Sequence, residues 1–247
     1  MEVHAHSHTP RKKWTHYFWE FLMLFLAVFC GFLAENQREH MVEHRREKEY
    51  MRSLIEDLQT DTANINSAIL LGEVIRTRNE ILIAFINKEQ VMDSVEKLYQ
   101  LNISVNKAIG VDFEDRTSSQ LKNGGNMRLV RKKMVSDTIR RYWESVKVLD
   151  YISNRLDEIR MKATDLSARL FHNKYILYAD PYNLSQPAIS ILPGAKLITN
   201  DPELLAFYSN WRQNALITLN NYITNMKEIK TSAVSLIALI KKEYHLK

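Results

Sequence analysis

The chain has 247 residues, with 34 Lys and Arg against 29 Asp and Glu, a formal net charge of +5. Acidic and basic side chains are interspersed and no basic stripe follows the spacing of a phosphate backbone, so nucleic acid is not an expected partner. The single cysteine, Cys30, excludes an internal disulfide and a cysteine-based metal cluster, and only six glycines and five prolines point to long uninterrupted helices.

Residues 1–13, MEVHAHSHTPRKK, read as a short polar tail ending in Arg11, Lys12 and Lys13. His4, His6 and His8 alternate in a weak metal-binding pattern, although such tails are more often simply disordered. Residues 14–34, WTHYFWEFLMLFLAVFCGFLA, contain one carboxylate, Glu20, and no Lys, Arg or Pro. At 1.5 Å per residue a helix of this length crosses a hydrocarbon core of about 30 Å. Trp14, Tyr17 and Trp19 stand where an interfacial aromatic belt belongs. A cleaved signal peptide would have a shorter apolar region ending in a small-residue cleavage site. Here the helical pattern runs on through Glu35, Asn36 and Gln37. The expectation is a single uncleaved membrane span.

Within it Glu20, Leu24, Ala27, Gly31 and Ala34 fall on one stripe, and Ala27 with Gly31 forms a small-x-x-x-small pair that admits a close neighbouring helix. That stripe is the candidate contact with a membrane-protein partner or a second copy of the chain. The lipid bilayer is itself the other expected partner. A carboxylate inside a span is costly and is by default a functional candidate, while pairing of Glu20 with His16 one turn earlier is the structural alternative. Lys and Arg flank both ends of the span, but long domains translocate largely regardless of charge whereas short tails obey the positive-inside rule. The tail is therefore expected in the cytoplasm and the remainder outside it.

From residue 35 to 86 there is no proline and one glycine, Gly72, and apolar residues from Tyr50 onwards recur at helical spacing. Residues 35–49 read as a charged juxtamembrane helix and residues 50–247 as a helical domain. His40-Met41-Val42-Glu43-His44 matches H-x-x-E-H, in which two histidines one turn apart bind zinc and the glutamate activates water. A peptidase would need a third ligand and a shielded cleft, so His40 and His44 stand as weak metal candidates against a solvated helix face. No cofactor is expected.

Asp93 or Ser94 is placed to cap a second helix with Val95, Leu98, Leu101 and Val105 inward. Thr117 with Gln120 three residues on reads as a capping box, and Gly124-Gly125 as the positive-φ end of that short helix. The stretch TSSQLKNGGNMRLVRKKMVSDTIRRYWE resembles a bacterial family of unknown function, as does the run from Phe18 through EKEYMRSLIEDLQTDT. The resemblance covers about half the chain. It implies one N-terminal transmembrane helix, an extracytoplasmic helical domain and a location in the bacterial inner membrane, and it carries no activity. The family's Asn/Trp-rich exit from the span is replaced here by Glu35-Asn36-Gln37.

Ile139, Tyr142, Val146, Leu149, Ile152, Leu156, Ile159, Ala163, Leu166 and Leu170 recur at spacings of three and four, a coiled-coil-like stripe. Between 178 and 202 the period is lost among four prolines, giving an irregular loop over the end of the domain. Asp201-Pro202 then reads as the cap and first residue of a last helix, with Tyr208, Trp211, Ala215, Leu219, Tyr222, Met226, Ile229, Ala233, Leu236 and Ile240 on one face. The expected fold is all-α: a transmembrane helix continuing into an elongated antiparallel bundle of about four main helices. The expected role is a non-enzymatic membrane-anchored scaffold or accessory subunit. A ligand-sensing bundle that signals through a partner is the alternative, and a zinc peptidase a minor one.

Overall fold

The computed structural model describes residues 14–88, 94–178 and 189–246. The tail with its three histidines, Asp93 and the centre of the proline-rich segment lie outside them. The fold is all-α. Among the described residues there are five α-helices, α1 (Trp14–Asn87), α2 (Val95–Val105), α3 (Arg116–Asn123), α4 (Lys133–Leu170) and α5 (Pro202–Tyr244), with one small strand pair, β1 (Ile176–Tyr178) and β2 (Ile189–Ile191), between α4 and α5. The chain divides into two compact units, residues 1–50 and 51–247.

In the second unit α1 buries Met51, Leu54, Leu58, Ile65, Ile75, Leu82 and Ile86. These spacings of three, four and their sums place one apolar stripe along the helix. On α4 the buried positions include Ile139, Leu149, Leu156, Ile159 and Ala163, while Val146 and Leu166 are half-buried. On α5 they run from Tyr208 through Leu219, Met226 and Leu236 to Ile240. Each such Leu, Ile or Met side chain contributes roughly 1.5–3 kcal/mol by leaving water.

Cross-helix contacts fix the directions. Lys132 Nζ pairs with Glu243 at 3.5 Å and Lys162 Nζ lies 4.9 Å from the Trp211 ring, so α4 and α5 are antiparallel. Ser209 bonds Asn87, Lys227 bonds Glu73 and Lys230 bonds Asn66, so α5 is antiparallel to α1 as well. It follows that α1 and α4 run in the same direction, with Tyr142 on Asp61 near one end and Leu82 clustered with Ala163 near the other. The sequence suggests a mostly antiparallel bundle; α1 and α4 run in the same direction because α2 and the segment after it carry the chain back before α4 starts. Three of the five helices are long; α2 and α3 have 11 and 8 residues.

Two local expectations are corrected. Helix α3 begins at Arg116 with Asp115 at the N-cap, and the Asp115 side chain makes no capping hydrogen bond to the helix backbone. Thr117, expected to cap, is the buried second residue of the helix. Its N–H donates to Asp57 Oδ2 of α1 at 3.0 Å, so the cap comes from a different helix. Gln120 works through its main-chain carbonyl, which accepts from Gly124 N–H and Asn126 Nδ2. Of the two glycines only Gly125 has a positive φ, 63°. Gly124 has φ −80° and is required for space, since a Cβ there would lie 2.8 Å from the Gln120 carbonyl oxygen.

The loop expected over 178–202 contains β2, which pairs antiparallel with β1 in the register Ile176–Ile191. A bridge joins Phe171 to Leu197. Tyr99 of α2 organises this region. Its ring meets Phe171 edge-on at 4.9 Å, and its hydroxyl accepts from His172 N–H and donates to the Lys196 carbonyl. Asp201 accepts from Glu203 N–H at 3.0 Å and Pro202 occupies the first helical position of α5.

Candidate functional site

The first unit carries the strongest compositional signal. From Trp14 to Ala34 every side chain is exposed except Leu22, which is half-buried. This is the one helix among the described residues long and apolar enough to cross a membrane. Phe21, Phe25 and Phe29 stack one turn apart, with ring centroids 6.2 and 5.8 Å from each other. At 100° per residue, Glu20, Leu24, Ala27, Gly31 and Ala34 lie about 140° round the helix from that ladder. A Cβ built on Gly31 meets nothing within 4 Å, so the small-residue surface is open. Glu20 Oε1 lies 3.0 Å from His16 Nε2, one turn away. The aromatic ladder and the small-residue stripe thus give one apolar helix two faces of different texture.

Beyond the apolar stretch, Arg38 donates twice to Glu35, and that hydrogen bond holds the Glu35 carboxyl below its usual range. His44 Nδ1 lies 3.2 Å from Glu47 Oε2, and the Glu47 side chain is buried. His40 and His44 sit one turn apart as the motif requires. Among the described residues, however, no group of three or more His, Cys, Asp or Glu side chains is disposed to hold a metal ion.

The second unit contains two polar clusters that the sequence pattern did not single out. In the first, Asp57 and Asp61 stand one turn apart on the buried stripe of α1. Asp57 accepts from Arg116 at 2.7 Å and from Thr117 N–H; Asp61 accepts from Glu114 N–H at 2.8 Å and from Tyr142 Oη at 2.7 Å. Burial raises the Asp61 carboxyl above its ordinary value, opposed by the two hydrogen bonds, and burial together with the Asp61 charge drives the Tyr142 hydroxyl far above its own. These groups line a cleft of about 160 Å3 in which Lys122 Nζ sits 4.3 Å from the Trp143 ring centroid. Every oxygen of the aspartate pair is engaged with the 114–117 segment or Tyr142, so the cluster acts as a clamp on α3 and α4.

The second cluster is centred on Arg212 of α5, which is 1% exposed. Its Nε donates to Tyr208 Oη at 3.0 Å and its Nη2 to Asn106 Oδ1 at 2.6 Å. Tyr208 in turn donates to Asn102 Oδ1 at 2.6 Å, and Thr164 of α4 reaches Asn106 Oδ1 at 3.1 Å. The guanidinium therefore lies at the C-terminal end of α2, where the helix dipole is negative. A detectable sequence signal exists for both clusters: charged residues fall on stripes otherwise apolar, Asp57 and Asp61 between Leu54 and Ile65, and Arg212 between Tyr208 and Ala215.

No family model, curated protein or solved structure matches this chain.

Proposed function

We propose that this protein is a single-pass membrane-anchored scaffold or accessory subunit, without catalytic activity of its own, that works by holding protein partners in and beside the membrane. The observation that carries the reading is the exposed apolar surface of residues 14–34, continuous with a helix whose later turns enter a packed core. An exposed surface of this size is tolerated in a bilayer and not in water. On this reading the span leads into a domain built on α1, α2, α4 and α5. The short basic tail stays in the cytoplasm and the domain lies outside, in the inner membrane of a bacterium, as in the family the sequence resembles.

The contact within the bilayer is assigned to the face of Glu20, Leu24, Ala27, Gly31 and Ala34. Small side chains let a partner helix approach closely. In a symmetric pair two Glu20 carboxyls would meet and have to share a proton, which favours a different protein as the partner over a second copy. Purification of the full chain in mild detergent, with identification of what co-purifies, tests this. Gly31→Leu and Glu20→Gln are each expected to reduce the size of the complex while leaving the helical domain folded by circular dichroism. Native complex size in both variants would assign the stripe to lipid. Ligand sensing is the second reading, favoured by a small pocket between the helices of the second unit whose lining includes Asn79, Arg160 and Arg212.

A further inference from the structure

The part of α1 that belongs to the second unit carries, besides its buried stripe, a second stripe on the opposite side of the helix. Ala63, Leu70, Thr77 and Ala84 recur every seven residues, and Ser67, Val74 and Ile81 fall between them at alternating spacings of four and three. All of these side chains are exposed, Leu70 at 63%, Val74 at 45% and Ile81 at 43%. The two hydroxyls in the series are turned back onto their own helix, Ser67 Oγ donating to the Ala63 carbonyl and Thr77 Oγ1 to the Glu73 carbonyl. The result is an uncharged seam of three heptads, about 32 Å long at 1.5 Å per residue, that the rest of the unit leaves open.

The register of the seam says what it fits. With Ala63, Leu70, Thr77 and Ala84 as d positions and Ser67, Val74 and Ile81 as a positions, two of the three a residues are β-branched aliphatics and the leucine stands at d. That distribution favours a parallel two-stranded coiled coil. The flanks agree: position g is held by Asn66, Glu73 and Glu80, and position e includes Leu71 and Arg78. In a parallel pair each g residue faces the e residue five positions further along the other helix, so Glu73 of one copy meets Arg78 of the other, twice by symmetry. An antiparallel pair would set carboxylate beside carboxylate and Arg78 beside Arg78. Among the described residues Arg78 makes no ion pair or side-chain hydrogen bond. Glu73 accepts from Arg76 at 2.7 Å and from Lys227 at 2.8 Å, one on each oxygen, and a carboxylate has capacity for further donors. By the same register the exposed Leu71 falls against Asn66 of the other copy, beside a groove between α1 and α5 lined by Ile69 and Val234. We propose that this face of α1 pairs with the same face of a second copy in a parallel, in-register dimer. The seam lies wholly within residues 51–247 and is separate from the Glu20–Ala34 face, which keeps its own partner.

The test is disulfide trapping in the purified full chain in detergent, with Cys30→Ser removing the only native thiol. Ala63→Cys and Ala84→Cys, introduced singly, are each expected to give a disulfide-linked dimer on mild oxidation. When the two variants carry tags of different size and are mixed, only links between like positions are expected, because the two ends of the seam lie about 32 Å apart in a parallel pair. Dimer affinity is then measured by analytical ultracentrifugation in the same detergent. Val74→Glu, at an exposed position that leaves the core intact, sets two carboxylates face to face in the seam. It should raise the dissociation constant about a hundredfold or more while helical content by circular dichroism is unchanged. Arg78→Glu should raise it several-fold by opposing Glu73 with a like charge. A link between positions 63 and 84, no trapped dimer with either cysteine, or native dimer affinity in Val74→Glu or Arg78→Glu would each overturn the proposal.

Discussion

Asp57 and Asp61 interrupt an apolar stripe with two carboxylates, and what they hold explains why they are there. Helix α3 has only 8 residues and no side-chain cap of its own, too short to persist without outside support. Asp57 caps it from α1, and Asp61 fixes the Glu114 N–H just upstream. The capping-box pattern at Thr117 and Gln120 was legible and misleading, because a local signal was overridden by a tertiary acceptor sixty positions earlier. Burial leaves Asp61 with a carboxyl that protonates more readily in the folded chain than in the unfolded one. Such a group lends stability below its ordinary value of 3.8 and withdraws it as pH rises through the raised folded value. In Asp61→Asn the amide oxygen still accepts from Glu114 N–H and Nδ2 can donate to Tyr142 Oη, with no charge to bury. The variant is expected to equal or exceed the native protein in stability at pH 7, by about 1 kcal/mol, with the difference shrinking as pH falls towards the ordinary carboxylate range. Urea unfolding across that window measures it; a gap that stays constant with pH would mean Asp61 does not titrate there.

At the scale of elements, the periodic helices were the legible part. The stripes of α4 and α5 read from spacing alone coincide closely with the buried positions, because a long amphipathic helix repeats its signal many times. The β1–β2 pair was not legible. Three-residue strands carry no measurable alternation, and what orders the surrounding segment is Tyr99, more than seventy residues upstream. Gly72 is a further case, since its value lies in a space that only the packed structure defines. A Cβ there would lie 3.0 Å from Ile109 Cδ1 and 3.0 Å from Ile223 Cγ1, so α1 and α5 approach through the missing side chain. Gly72→Ala asks those flexible ends to yield by a few tenths of an ångström while gaining about 0.8–1.0 kcal/mol of helix propensity, and should be nearly neutral. Gly72→Leu has no such compensation and is expected to cost about 1–3 kcal/mol by overpacking. Urea midpoints of the two variants decide; a leucine variant as stable as the alanine one would show that the two helices are free to separate here.

For the whole molecule, the sequence distinguished an apolar helix from a packed helical domain but not the pocket. Asn79, Lys107, Arg160 and Arg212 lie on four different segments and converge only when those segments pack. If residues 14–34 cross a membrane as proposed, orientation turns on which flank of that segment decides. Arg11, Lys12 and Lys13 precede it, while Arg38, Arg45, Arg46 and Lys48 follow, so charge counting alone is balanced. The flanks are not equivalent, however. Arg38 is paired with Glu35, and the following segment carries several more carboxylates and leads into a large domain, whose passage depends little on nearby charge. On the proposed reading, Arg11, Lys12 and Lys13 hold their own flank inside. A reporter active only in the cytoplasm, joined after Lys247, is therefore expected to be silent in the native chain. Replacing Arg11, Lys12 and Lys13 together by Glu should then produce measurable cytoplasmic signal by inverting a fraction of the molecules. Strong signal from the native fusion would reverse the assignment, and an unresponsive triple variant would mean that the domain itself, rather than the tail, directs insertion.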